Sequence, residues 1–159
     1  MKVGVYDIIN DPLPKLLLIK EINISNKDLE DDDNVVDMMN KYFKMNKLTS
    51  EYAYALALTN GLIPKGIIYI SSGNCSGVEI DYRKLAMGLL LTGAERFMCF
   101  HNHPGGNKKI SDGDKEVTNH YNELGRVIGI DFLRHIMITQ NTYKYCDDRY
   151  DEDYYIPFT

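Results

Sequence analysis

Residues 100–114 read FHNHPGGNKKISDGD, and this stretch carries most of the chemically loaded side chains of the chain at short, fixed spacings. His101 and His103 are one residue apart, so in an extended strand their imidazoles project to the same face and can converge on one ion. Pro104, Gly105 and Gly106 then break the strand. Ser111 and Asp114 follow at three residues' separation, which places serine at a helix N-cap and aspartate at N3 of the first turn. Two imidazoles and one carboxylate make the ligand set of a catalytic zinc site, with a fourth position left for water. A structural site would be closed by a fourth protein ligand.

Each fragment has a plainer reading. Ser111 and Asp114 alone would be a capping motif, and His-x-His alone a polar strand end. The conjunction shifts the balance: the serine and aspartate lie eight and eleven residues beyond His103, after a Pro-Gly-Gly turn. Capping and metal binding are also compatible, because a helix start would orient the carboxylate and leave a hydroxyl near the metal.

His-x-His, seven residues, Ser, two residues and Asp form a pattern that resembles the JAMM/MPN+ metalloprotease superfamily, and HNHPGG followed by SDGDKEVT resembles its RadC-like JAB branch. Leu13 to Glu21, Ser50 to Ile70, Arg83 and Phe132 to Ile138 extend the resemblance over residues 13–145. Two departures stand out: Arg134 occupies a position usually acidic in the branch, and Gly105 one that is commonly serine. The resemblance implies an α/β fold of the MPN (JAB/JAMM, cytidine-deaminase-like) type, with a mixed, mostly antiparallel sheet and flanking helices. It implies one Zn2+ per chain held by His101, His103 and Asp114. It also implies catalytic roles for Glu51, which accepts and delivers protons, and Ser111, which donates to an oxyanion during hydrolysis of an amide or isopeptide bond by a metal-activated water.

Without that resemblance, Glu51 is an isolated carboxylate at the start of the apolar run Tyr52 to Thr59, and such a group is ordinarily solvated. His135, in the apolar strand FLRHIMI, reads as a satisfied core histidine, and His120 as a helix surface residue. Cys75, in the small-residue loop Ser71 to Gly77, reads as an ordinary loop cysteine, and the resemblance implies that this loop lies near the cleft.

The 159 residues, 44% of them hydrophobic, are expected to form a single RadC-like JAB/MPN domain, with an acidic, tyrosine-rich tail over residues 146–159. A net charge of −5 argues against a broad electropositive surface for nucleic acid. Three widely spaced cysteines, with no Cys-x-x-Cys pair, indicate neither a disulfide framework nor a thiolate zinc site. No leader-like or membrane-spanning apolar run is present, and a soluble, cytoplasmic protein without a membrane partner is expected.

In chain order, strands are expected at Lys2 to Ile9 and Lys15 to Ile24, and the acidic run Asp28 to Asp33 reads as a helix start rather than a cation site. The apolar spacing from Val35 to Met45 predicts a helix over residues 34–47. Helices over 82–91 and 112–128 frame the strand Arg96 to Phe100, and Ile130 to Ile138 follows as a strand. Peptide or ubiquitin-like protein substrates fit the resemblance. A non-catalytic, zinc-bearing interaction module is one alternative. The other is a RadC-type DNA repair or processing factor, supported locally only by Lys108 and Lys109, and residues 1–48 lack the composition of the helix-hairpin-helix segment that commonly precedes this domain.

Overall fold

The structure, a computed structural model, describes residues 1–75 and 77–147 together with the backbone of Tyr154–Tyr155. Alternating and apolar runs give the strands β1 (Lys2–Asn10), β2 (Pro14–Asn23), β3 (Tyr52–Leu58), β4 (Pro64–Ser72), β5 (Arg96–Asn102), β6 (Asp131–Ile138), β7 (Thr142–Tyr145) and β8 (Tyr154–Tyr155). They form one sheet in the order β2-β1-β4-β3-β5-β6-β7-β8. The β1–β4 and β5–β6 pairs are parallel, and every other pair is antiparallel. This is the mixed α/β architecture expected of an MPN/JAB fold.

Among the described residues, three α-helices cover the sheet: α1 (Asp32–Phe43), α2 (Tyr82–Leu91) and α3 (Asp112–Ile128). The two-residue period of the central strands sorts their side chains into two cores. Leu56 and Leu58 of β3 and Met98 and Phe100 of β5 pack with Val35, Val36, Met38 and Met39 of α1. Ala53, Ala55 and Ala57, with Phe97 and Cys99, face the opposite way, toward Leu85 and Leu89 of α2 and Tyr121 of α3. The alanines keep that second layer thin, and Gly88 and Gly125 let the helices approach closely: a Cβ on Gly125 would lie 2.4 Å from the Ile130 carbonyl oxygen. By the same phase, His101 falls on the face covered by α2 and α3, and Asn102 on the other.

Helix α1 stops at Phe43, short of the expected residue 47, because Lys44 turns into the left-handed region at φ 55° and ends the hydrogen-bond ladder. The acidic run does start this helix, with Asp31 accepting from the Asn34 amide at 2.8 Å, but a short 3-10 turn at Asn26–Leu29 precedes it. Its carboxylates are also engaged rather than merely solvated. Arg134 Nε donates to Asp32 at 2.8 Å, the Tyr145 hydroxyl donates to the same carboxylate, and the Tyr143 hydroxyl donates to Asp33. Arg134, where the branch usually has an acid, therefore ties β6 to the start of α1. Strand β5 runs through His101 to Asn102 rather than ending at Phe100. All three cysteines are free. Part of the expected tail, residues 148–153 and 156–159, lies outside the described residues. No helix among the described residues is long and apolar enough to cross a membrane.

Candidate metal centre

The end of β5 and the start of α3 meet above the sheet, and α3 is itself the crossover from β5 to its parallel neighbour β6. His101 is buried in β5, paired in register with Ala53 of β3 and Met137 of β6. His103 lies just past the strand, its amide held by the Ile138 carbonyl at 2.9 Å. Ser111 caps α3: its Oγ accepts from the Asp114 amide at 3.0 Å, and a carboxylate oxygen of Asp114 accepts from the Ser111 amide at 2.9 Å. This reciprocal box locks the Asp114 rotamer toward the histidines.

The three side chains converge. His101 Nε2 and His103 Nε2 are 3.1 Å apart, His101 Nε2 lies 3.2 Å from Asp114 Oδ1, and His103 Nε2 lies 3.3 Å from Asp114 Oδ2. Zinc–nitrogen and zinc–oxygen bonds of about 2.0–2.1 Å in a tetrahedron put neighbouring ligand atoms about 3.3–3.4 Å apart. The gap between the two Nε2 atoms, and the gap from each to its nearer Asp114 oxygen, are of that size.

The donor chemistry agrees. His103 Nδ1 is 2.8 Å from the Asn107 carbonyl, which can only accept, so Nδ1 carries a proton and a neutral ring presents a lone pair at Nε2. The His103 lone pair and a carboxylate, with His101 Nε2 beside both, suit a cation. His101, His103 and Asp114 fit a divalent metal.

The chain matches the family model of the RadC-like JAB domain over residues 29–149. It belongs to the RadC-like JAB domain family. Among curated relatives, it is 29% identical over 113 residues to a UPF0758 protein of Finegoldia magna, covering 71% of this chain and 50% of that one. It is 38% identical over 96 residues to the UPF0758 protein YsxA of Bacillus subtilis, covering 59% of this chain and 41% of that one. A UPF0758 protein of Bacillus licheniformis is 36% identical over 96 residues. The chain spans half or less of the length of these relatives.

In this RadC-like JAB domain, the candidate ligands line an open pocket of about 500 Å³ together with Glu51 and Ser111. Glu51 immediately precedes β3, beside the histidine strand. Its amide donates to the Asn74 carbonyl at 3.0 Å and its carbonyl accepts from the Gly73 amide at 2.9 Å. Partial burial raises its pKa; His101 and His103 oppose that shift, while Asp114 adds to it. Burial would likewise raise Asp114, but hydrogen bonds and charge from the two histidines outweigh it and hold the carboxyl well below the usual carboxylate range. His103 is pulled down by burial, yet Asp114, the Asn107 carbonyl and Glu51 together bring it above its ordinary value. The loop expected near the cleft does line it, through Cys75 and Gly77.

Two residues around the site had no motif to announce them. Asn102, the central residue of His-x-His, is fully buried, and its carboxamide bonds to the backbone on both sides of Glu51. Thr118, one turn beyond Asp114 on α3, bonds to His135. His135 is buried as expected of a core histidine, but its Nε2 also lies 2.7 Å from His101 Nδ1. His101, His135 and Cys146 form a second cluster of ligand-type atoms. It fails the spacing test, because 2.7 Å is a hydrogen-bond distance and too short for two nitrogens on one ion.

Proposed function

We propose that this domain is a zinc-dependent hydrolase of amide or isopeptide bonds, with His101, His103 and Asp114 as the metal ligands. The observation that carries this reading is the cluster of two imidazole nitrogens and the Asp114 carboxylate opening into the same pocket as a half-buried carboxylate, Glu51, and a helix-capping hydroxyl, Ser111. A zinc ion held there would supply Lewis acidity and lower the pKa of a water.

Glu51 is the proton carrier. Partial burial raises its pKa, the direction that helps a carboxylate hold a transferred proton. It accepts a proton from the attacking water as the oxygen bonds to the substrate carbonyl carbon. It then delivers that proton to the amine nitrogen as the carbon–nitrogen bond breaks, leaving a carboxylic acid and a free amine. Ser111 stands at the pocket rim with Oγ accepting from the Asp114 amide, which leaves its hydroxyl proton to donate to the developing oxyanion. The half-buried apolar wall beside the site, Val78 and Ile80 with Val117, suits an extended peptide or the tail of a ubiquitin-like protein.

The test is turnover on a panel of peptide and isopeptide-linked substrates by the zinc-loaded protein and its Glu51→Gln variant. Cleavage by the wild type, lost in the variant at unchanged zinc content, supports the assignment. Equal turnover by both would remove Glu51 from the mechanism, and no cleavage across the panel would leave the amide-hydrolase reading without support.

A further inference from the structure

Behind the candidate ligands runs a line of buried hydrogen bonds that the proposed reaction does not use. Thr118 Oγ1 lies 2.9 Å from the Asp114 carbonyl oxygen, 3.0 Å from the Cys146 carbonyl oxygen and 2.8 Å from His135 Nδ1. His135 Nε2 lies 2.7 Å from His101 Nδ1, and His101 Nε2 points to Asp114 and His103. His135 is held between the ring of His101, 4.7 Å away centroid to centroid, and that of Tyr121, which meets it edge-on at 5.1 Å. Thr118 and His135 are both buried, so no bulk solvent competes for these contacts.

The direction of the line follows from counting protons. A hydroxyl has one, and two of the three neighbours of Thr118 Oγ1 are carbonyl oxygens that can only accept. If the hydroxyl proton went to His135, both carbonyls would face an oxygen lone pair. With the proton given to a carbonyl, Oγ1 is free to accept, and His135 Nδ1 must be the donor to it. A neutral His135 then has its lone pair on Nε2, which accepts from His101 Nδ1–H. A neutral His101 is then left with its lone pair on Nε2, beside His103 and Asp114.

We infer that Thr118 and His135 are positioning residues: by a one-way chain of hydrogen bonds they hold His101 in the tautomer whose Nε2 is available to a metal ion. The idea rests on the metal-centre reading for its consequence, but not for the tautomer itself. Without Thr118, a metal-bound His101 can still donate to His135, but only by leaving the His135 Nδ1–H buried with no acceptor. Metal affinity is then reduced; substitutions of such outer partners typically weaken binding about 10- to 100-fold. Serine in place of Thr118 keeps the oxygen and the chain. Valine keeps the shape and removes both.

The experiment has two readouts on the full chain. The first is the nitrogen-15 spectrum of His135 in the metal-free wild type, which distinguishes Nδ1–H from Nε2–H directly. The second is zinc affinity, by competition with a chromophoric chelator, for wild type, Thr118→Ser and Thr118→Val, each checked for folding by circular dichroism. The relay predicts an Nδ1–H His135, wild-type affinity in Thr118→Ser, and affinity lower by about tenfold or more in a folded Thr118→Val. An Nε2–H His135, or a Thr118→Val protein that binds zinc as the wild type does, overturns the inference. A wild type that binds no zinc defeats the metal-centre reading instead, and the His135 tautomer alone then decides the relay. The same measurement decides if Thr118→Val fails to fold.

Discussion

Asn102 grips the chain on both sides of Glu51: its Nδ2 donates to the Ser50 carbonyl at 3.0 Å, and its Oδ1 accepts from the Tyr52 amide at 2.8 Å. The residue between the two candidate ligand histidines thus points away from them and secures the carboxylate across the neighbouring strand. The two-residue period of β5 makes this possible, since His101 and Asn102 must lie on opposite faces.

Asn102→Ala is therefore expected to separate two properties. Zinc affinity should change little, because His101 and His103 keep their backbone positions. Turnover of any substrate found should fall. Two part-buried backbone groups would lose their partner, at a cost of up to about 1–3 kcal/mol each, which urea unfolding measures. Unchanged stability would show that the grip contributes nothing.

The acid-base pair at the site gives a pH dependence for the metal-free protein. Asp114 has a folded pKa below its unfolded value, so its stabilisation is complete above about pH 4 and is lost as pH falls through the folded value. His103 has a folded pKa above its unfolded value, so its stabilisation is complete below about pH 6.5 and is lost as pH rises through the folded value. These are two views of one interaction and do not add. Thermal unfolding of the metal-free protein should show a decline in this contribution above about pH 6.5 that flattens in Asp114→Asn. Parallel curves for the two proteins would contradict the assignment. Zinc requires neutral imidazoles, so the stabilisation it adds should grow over the same rise in pH.

Gly125 brings α3 close against the sheet. Alanine there would place Cβ 2.4 Å from the Ile130 carbonyl oxygen and 3.1 Å from Phe97 Cε1. Backbone cannot swing aside as a flexible side chain can, so Gly125→Ala should destabilise the fold by about 1–3 kcal/mol in urea unfolding. A neutral result would mean that α3 is free to shift outward.

Much of this was legible because local rules and the fold agree. The bounds of α2 and α3 follow from apolar spacing, with Ser111 as the cap of α3, and the His-x-His period anticipates the shared face of the two imidazoles. The Ser-x-x-Asp spacing likewise anticipates the cap that aims Asp114. The end of α1 was not legible, because Lys44 in a left-handed conformation leaves no signature of the kind a glycine would. Asn102, Thr118 and His135 escaped for a different reason. Each acts on a residue distant in the chain, and the contacts exist only once β3, β5, β6 and α3 are assembled. His135 is the instructive case: burial in an apolar strand was read correctly as a core position, but only the packed structure shows its second nitrogen meeting His101.

The central claim is that His101, His103 and Asp114 hold a metal ion. Elemental mass spectrometry of protein purified without chelator or histidine tag tests it most directly, with His103→Ala alongside. The account predicts close to one zinc per wild-type chain and little in the variant. A wild type that stays metal-free after incubation with zinc, or a variant that retains the same content, would contradict it.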